Sequence, residues 1–74
     1  MPLFYFDFEG NGPDEAGTEL PGLPEARTEA VQLLLGIAKE HVTGRDMDLR
    51  VTVRDVRRLA LVSLELGLRF RSAS

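Results

Sequence analysis

Seventy-four residues with a formal net charge of −3 and 43% apolar side chains describe one small domain, residues 1–74, with little room for a second function. The chain has no cysteine, which excludes disulfides and thiolate metal sites, so a core this small needs oligomerisation or very compact packing. No apolar run is long enough to span a bilayer, and the apolar opening, broken at Asp7 with no cation before it, does not read as a signal peptide. No membrane association and a cytoplasmic location are the expectations.

The charge is unevenly spread. Residues 1–26 hold six carboxylates and no lysine or arginine, whereas residues 27–74 hold nine cations and six carboxylates. The two ends are expected to meet in one fold and neutralise locally; the alternative is that the imbalance attracts a charged partner.

In chain order, "LFYFDFE" puts Phe4, Phe6 and Phe8 on one face and Leu3, Tyr5, Asp7 and Glu9 on the other, the period of a half-buried strand. "GNGPDEAGTELPG" is a loop by its Gly, Pro, Asn and Asp content, with room for a short strand near "TEL". "LPEARTEAVQLLLGIAKEHVTG" predicts a helix, with Pro24 at its first position and Gly44 as its stop. Ala26, Ala30, Leu34, Ile37 and His41 form its apolar stripe, with Leu33 on one edge and Val31, Leu35, Ala38 and Val42 on the other. "MDLRVTVRDVRRLALVSLELGLRF" predicts a hairpin in which Leu49, Val51 and Val53 share a face with Ala60, Val62, Leu64 and Leu66. A connection from Asp55 to Arg58 would pair Val53 with Ala60, Val51 with Val62 and Leu49 with Leu64, every inward residue meeting an inward one; it also sets Asp48 opposite Glu65. Residues 71–74 read as a frayed tail. The fold class is α+β, a single β-α-β-β domain whose three-stranded sheet carries one helix on one face. The longest and most apolar strand, the last, is expected at the centre, with the first strand antiparallel on its free side.

"MPLFYFDFEG", "DEAGTELPGLPEARTEA" and a strand pair ending in "VSLEL" together resemble a family of short bacterial proteins of unknown function. Its members open M-P-x-Y-F-F-D, carry G-x-E-L-P and A-R-x-E-A segments and finish in a hairpin. The resemblance covers nearly the whole chain and departs at the hairpin turn, where "DVRR" replaces a glycine-containing D-x-x-G-R. It implies the same fold and no established activity.

The acidic stretch invites a calcium reading, since a loop pattern begun at Asp7 continues through Glu9 and Asn11 and lands Gly12 at its sixth position. Thr18 then occupies the twelfth position, where a bidentate glutamate is needed, and Glu19 is one residue late. Asp7 also lies in a strand, where the calcium loop needs a helix before it. No metal and no cofactor are expected. His41 reads as a partly buried packing residue, Asp14 and Glu15 as solvated loop neighbours, and Ser63, Ser72 and Ser74 assemble into no catalytic group; the chain is not expected to be an enzyme. Arg50, Arg54, Arg57 and Arg58 suggest nucleic acid, but the net negative charge and the lack of aromatics on those strands favour a solvated or salt-bridged sheet face. Arg27 falls amid the apolar arc and is expected to reach the rim or a carboxylate such as Glu19.

What remains is a small interaction or adaptor module, self-associating or bound to a protein partner; the alternative is a nucleic-acid-linked regulator using its arginine face. The candidate partner surface is the outer sheet face: Leu3, Tyr5, Arg50, Thr52, Arg54, Leu59 and Leu61, with Asp7 and Glu65 among them. Apolar side chains mixed with both signs of charge suit a homodimer. A second candidate surface is the helix flank of Val31, Leu35 and Val42.

Overall fold

The computed structural model describes residues 1–41 and 43–73; Val42 and Ser74, assigned from sequence to the helix flank and the tail, lie outside the described residues. In chain order the elements are β1 (Leu3–Phe8), β2 (Thr18–Glu19), α1 (Leu23–Glu40), β3 (Met47–Arg54) and β4 (Ala60–Leu68). The class is α+β and the helix follows the first strands as expected, but the sheet has four strands rather than three. The extra one is β2, which pairs Leu3 with Glu19 and Phe4 with Thr18.

The strand order is β2-β1-β3-β4, which corrects the expected centre. β3 lies between β1 and β4, and β4 is an edge. β1 pairs antiparallel with β3, Phe6 opposite Val53 and Phe8 opposite Val51. Burial explains the choice. Val51 and Val53 are fully buried and every residue of β4 keeps some exposure, so β3 is the strand whose apolar row gains from neighbours on both sides.

The hairpin register also differs. Val53 pairs with Val62, Val51 with Leu64 and Leu49 with Leu66, a shift of two residues from the expected pairing. The turn causes it. Asp55 N–H bonds Leu59 O and Arg58 N–H bonds Asp55 O, with Arg58 left-handed at φ 66°; this is a type I turn followed by a left-handed residue. Asp55 Oδ1 accepts the N–H groups of Arg57 and Leu59. A bulge where Arg54 meets Ala60 supplies the rest of the shift. Because the shift is even, inward residues still meet inward residues. It also replaces the expected Asp48–Glu65 juxtaposition with Arg50 opposite Glu65. Arg58 holds the position where the D-x-x-G-R pattern has glycine.

α1 starts after an extended Gly22, whose carbonyl accepts Ala26 N–H. Pro24 is the second helical residue rather than the first, a position whose N–H has no partner within the helix either. The helix ends at Glu40, short of Gly44, as His41 N–H bonds Ile37 O and Ala38 O. Ala26, Ala30 and Leu34 are buried against Phe4, Phe6, Val51 and Val53, with Phe8, Leu33, Val62 and Leu64 packed around that core. The two helix alanines, both fully buried, let the helix backbone lie close over β3, which is what a core of so few residues requires.

Candidate functional site

The face of the sheet opposite α1 carries the candidate surface. The structure brings Leu3, Tyr5, Thr52 and Arg54 onto it half-buried, and Arg50 and Leu61 exposed, with Leu59 58% exposed in the turn beside it. Alternation explains the strand residues: Leu3, Tyr5, Arg50, Thr52 and Arg54 are each one residue out of step with a core residue on the same strand, and Leu61 with Val62, which packs against the core.

Ion pairs cross this face from strand to strand. Arg54 Nε donates to Asp7 Oδ2 at 2.7 Å. Arg50 pairs with Glu65 on β4 and lies 3.7 Å from Glu9. Arg58 stacks its guanidinium 3.9 Å from the centre of the Tyr5 ring and donates to Asp14 O. The acidic N-terminal third thus does neutralise part of the basic remainder. Arg54 also donates to Arg58 O, so Asp7, Arg54, Arg58 and Asp14 form one connected group across β1, β3 and the hairpin turn.

Asp14 corrects the expectation of a solvated loop acid. Its Oδ2 accepts Phe6 N–H at 3.1 Å, and its Oδ1 accepts Ala16 and Gly17 N–H at 3.2 Å each. Asp14 N–H in turn donates to Asp7 Oδ1 at 2.9 Å. β2 pairs with β1 only at Leu3 and Phe4, so Asp14 serves Phe6 where the strand has run out. Burial pushes the Asp14 carboxyl up, but the bonds from Phe6, Gly17 and Ala16 and the charge of Arg58 outweigh it, and the group titrates below the usual aspartate range. Gly17, with φ +72°, lets the loop lie against the outer face: a Cβ there would come within 3.0 Å of Leu3 and 3.1 Å of Tyr5. Leu3 and Tyr5 are therefore covered in part by the chain's own loop. The signal in the sequence is an aspartate three residues before a glycine, the spacing of a side-chain-capped turn.

The other singled-out residues separate. His41 is exposed rather than partly buried, because the helix stops before it and its Nδ1 turns back to Ile37 O at 2.9 Å. Arg27 is exposed and pairs with no carboxylate among the described residues. The acidic loop lies on the opposite flank of α1, where Glu29 and Leu33 share a concavity with Asp14, and so Arg27 cannot reach it. Ser63 is exposed on β4, and the guanidinium of Arg57 in the turn pairs with no carboxylate among the described residues. The oxygens a calcium ion would need from Asp7 are turned to Asp14 N–H and Arg54, and among the described residues no cluster of His, Asp and Glu converges as a metal site. A concavity of about 660 Å³ opens at the end of the sheet over Phe8, Ile37, Leu49 and Leu66; three carboxylates, Glu9, Asp48 and Glu65, line it with Arg50, which is held by Glu65 and Glu9. Among the described residues no helix is long and apolar enough to cross a membrane.

The model of a family described as a domain of unknown function (DUF6894) matches residues 3–67. No curated protein and no solved structure matches the chain.

Proposed function

The chain belongs to the DUF6894 family of domains of unknown function, and from its own residues we propose that it is a small non-enzymatic interaction module that associates with itself or another polypeptide through its sheet. The observation that carries this reading is the state of the outer-face arginines. Arg50, Arg54 and Arg58 are each engaged within the chain, by Glu65, Asp7 and the Tyr5 ring with Asp14 O. The neighbouring carboxylates reduce the positive charge this face presents to phosphate, which weighs against nucleic acid. Beside these engaged arginines stand exposed apolar residues: Leu59 and Leu61 next to the face, Val31 and Leu35 on the helix, with exposures of 41–58%. Apolar surface and free backbone edge are what polypeptide partners bind.

The test is paired. Affinity capture of the tagged protein from its own cells should return a protein, itself included, in stoichiometric amount. The same protein should pass through heparin unretained at low salt. Retention lost steeply as salt rises, with nucleic acid in the captured material, overturns the reading in favour of a regulator that binds phosphates.

A further inference from the structure

The two edges of the sheet are unlike. At one, β2 is two residues long and Asp14 closes the next N–H of β1. At the other, β4 runs for nine residues, Ala60–Leu68, with no proline or cation and a single charge, Glu65. Apart from the bulge beside the turn, it lacks the devices that keep an edge strand from pairing.

The groups presented there follow from the ladder. Glu9 N–H bonds Arg50 O, so Arg50, Thr52 and Arg54 turn their backbone groups towards β1, and Leu49, Val51 and Val53 turn theirs towards β4. The partners of the latter are Leu66, Leu64 and Val62. Ser63, Glu65 and Gly67 therefore turn N–H and C=O outward.

We propose that this edge pairs antiparallel with the same edge of a second copy, about a two-fold axis at Leu64, to make one continuous sheet. The proposal rests on the self-associating form of the module reading and names its surface. Charge and length select the register. An axis at Glu65 would set carboxylate against carboxylate, and an axis at Ser63 would leave the Gly67–Leu68 end overhanging. The axis at Leu64 uses the strand from Ala60 to Leu68, sets Ser63 opposite Glu65 of the second copy and brings Gly67 opposite Leu61. A hydroxyl then meets each carboxylate.

On the helix side, the same register sets Leu64 against Leu64 and Val62 against Leu66, residues that are only half-buried in one chain. α1 lies closest to β3 and next to β4. Glu29 and Leu33 face the β1 side, so the opposite flank, with Val31 and Leu35, faces the β4 edge. At a strand spacing of about 4.8 Å, the two helices would run about 14 Å apart, and those side chains would project into the gap over the Leu64 row. The second copy covers backbone, sheet row and helix flank together.

Light scattering or sedimentation across a dilution series, with amide exchange on the same samples, decides it. The expected result is a dimer in which the amides of Ser63, Glu65 and Gly67 gain protection as concentration rises. Ser63→Pro removes an outward N–H without touching the β3 ladder and should raise the dissociation constant at least tenfold in a protein that keeps its circular dichroism. Thr52→Glu, at the centre of the open face, should leave the dimer intact. If Ser63→Pro fails to fold, the exchange pattern of the parent decides alone. A monomer at high micromolar concentration overturns the proposal while leaving the module reading to the captured partner. A dimer broken by Thr52→Glu, with those three amides unprotected, overturns it in favour of the open face.

Discussion

Asp14→Ala is the substitution whose cost follows most directly from the geometry. One carboxylate accepts three N–H groups, of which Phe6 N–H belongs to a residue only 5% exposed and has no strand partner in reserve. A hydrogen bond to a charged group contributes about 1.5–3 kcal/mol net, and the more exposed bonds to Ala16 and Gly17 add about 0.5 kcal/mol each once rehydration of the freed groups is counted. Relief of the burial cost of the carboxylate, visible in the upward push on its titration, offsets part of this. The expected loss is about 2–3 kcal/mol, from a domain whose stability at this length is about 4–11 kcal/mol. Urea denaturation followed by circular dichroism measures it, with Glu15→Ala as control, since Glu15 is an exposed neighbour. The pH dependence has a definite sign. Asp14 titrates below its unfolded value, so its contribution is present above that value and is lost as pH falls through the folded one. The gap between parent and Asp14→Ala should narrow below about pH 4. An Asp14→Ala midpoint equal to that of Glu15→Ala, or a gap that persists at low pH, refutes the role of the carboxylate.

Phe6→Ala should cost about 3–5 kcal/mol and unfold much of the population, read as a collapse of the melting transition; a melt near the parent temperature would mean that the ring is not in the core. At Arg58, which is left-handed at φ 66°, both Gly and Ala lose the Tyr5 stack, but Gly relieves the backbone strain, so Arg58→Gly should be more stable than Arg58→Ala by about 1 kcal/mol in the same urea assay. The reverse order would place the turn in another conformation. Calorimetric titration with calcium should show no stoichiometric binding in the micromolar range, and a transition abolished by changing both Asp7 and Asn11 to Ala would contradict this.

Local periodicity made the elements legible. Phe4 and Phe6 on one face of β1, Ala26, Ala30 and Leu34 on one stripe of α1 and Val51 and Val53 on β3 are the buried residues, each set spaced as its element demands. What was hidden depends on contacts between distant segments. The composition left room for a short strand near "TEL", where β2 falls, but two residues are too short for any period to fix a partner, and the pairing is completed by Leu20 N–H to Pro2 O. Strand order escaped because β4 is the more apolar strand by composition, whereas burial goes to β3, which has two neighbours. The hairpin register turned on Arg58 accepting a left-handed backbone, a rare choice for a residue with a Cβ. The outer-face residues were identifiable by alternation. Their pairing was not, because Asp7 and Arg54 stand 47 positions apart.

The order β2-β1-β3-β4 also bears on the time course of folding. β3 and β4 are joined by a tight turn and α1 carries its own ladder, so both can form from neighbouring residues. β1 reaches β3 only after residues 9–46 have been closed into a loop, an entropic cost that precedes any reward from Phe4 and Phe6. β1 should therefore dock after the rate-limiting barrier. Stopped-flow measurements on a milder substitution, Phe6→Leu, would then show faster unfolding with refolding nearly unchanged, whereas slower refolding at an unchanged unfolding rate would put β1 in the nucleus. On this account the acidic loop is a latch: Asp14 and Phe6 are eight residues apart and can join early, but Arg54 and Arg58 can grip Asp7 and Asp14 only once the strand has arrived, and they slow its departure.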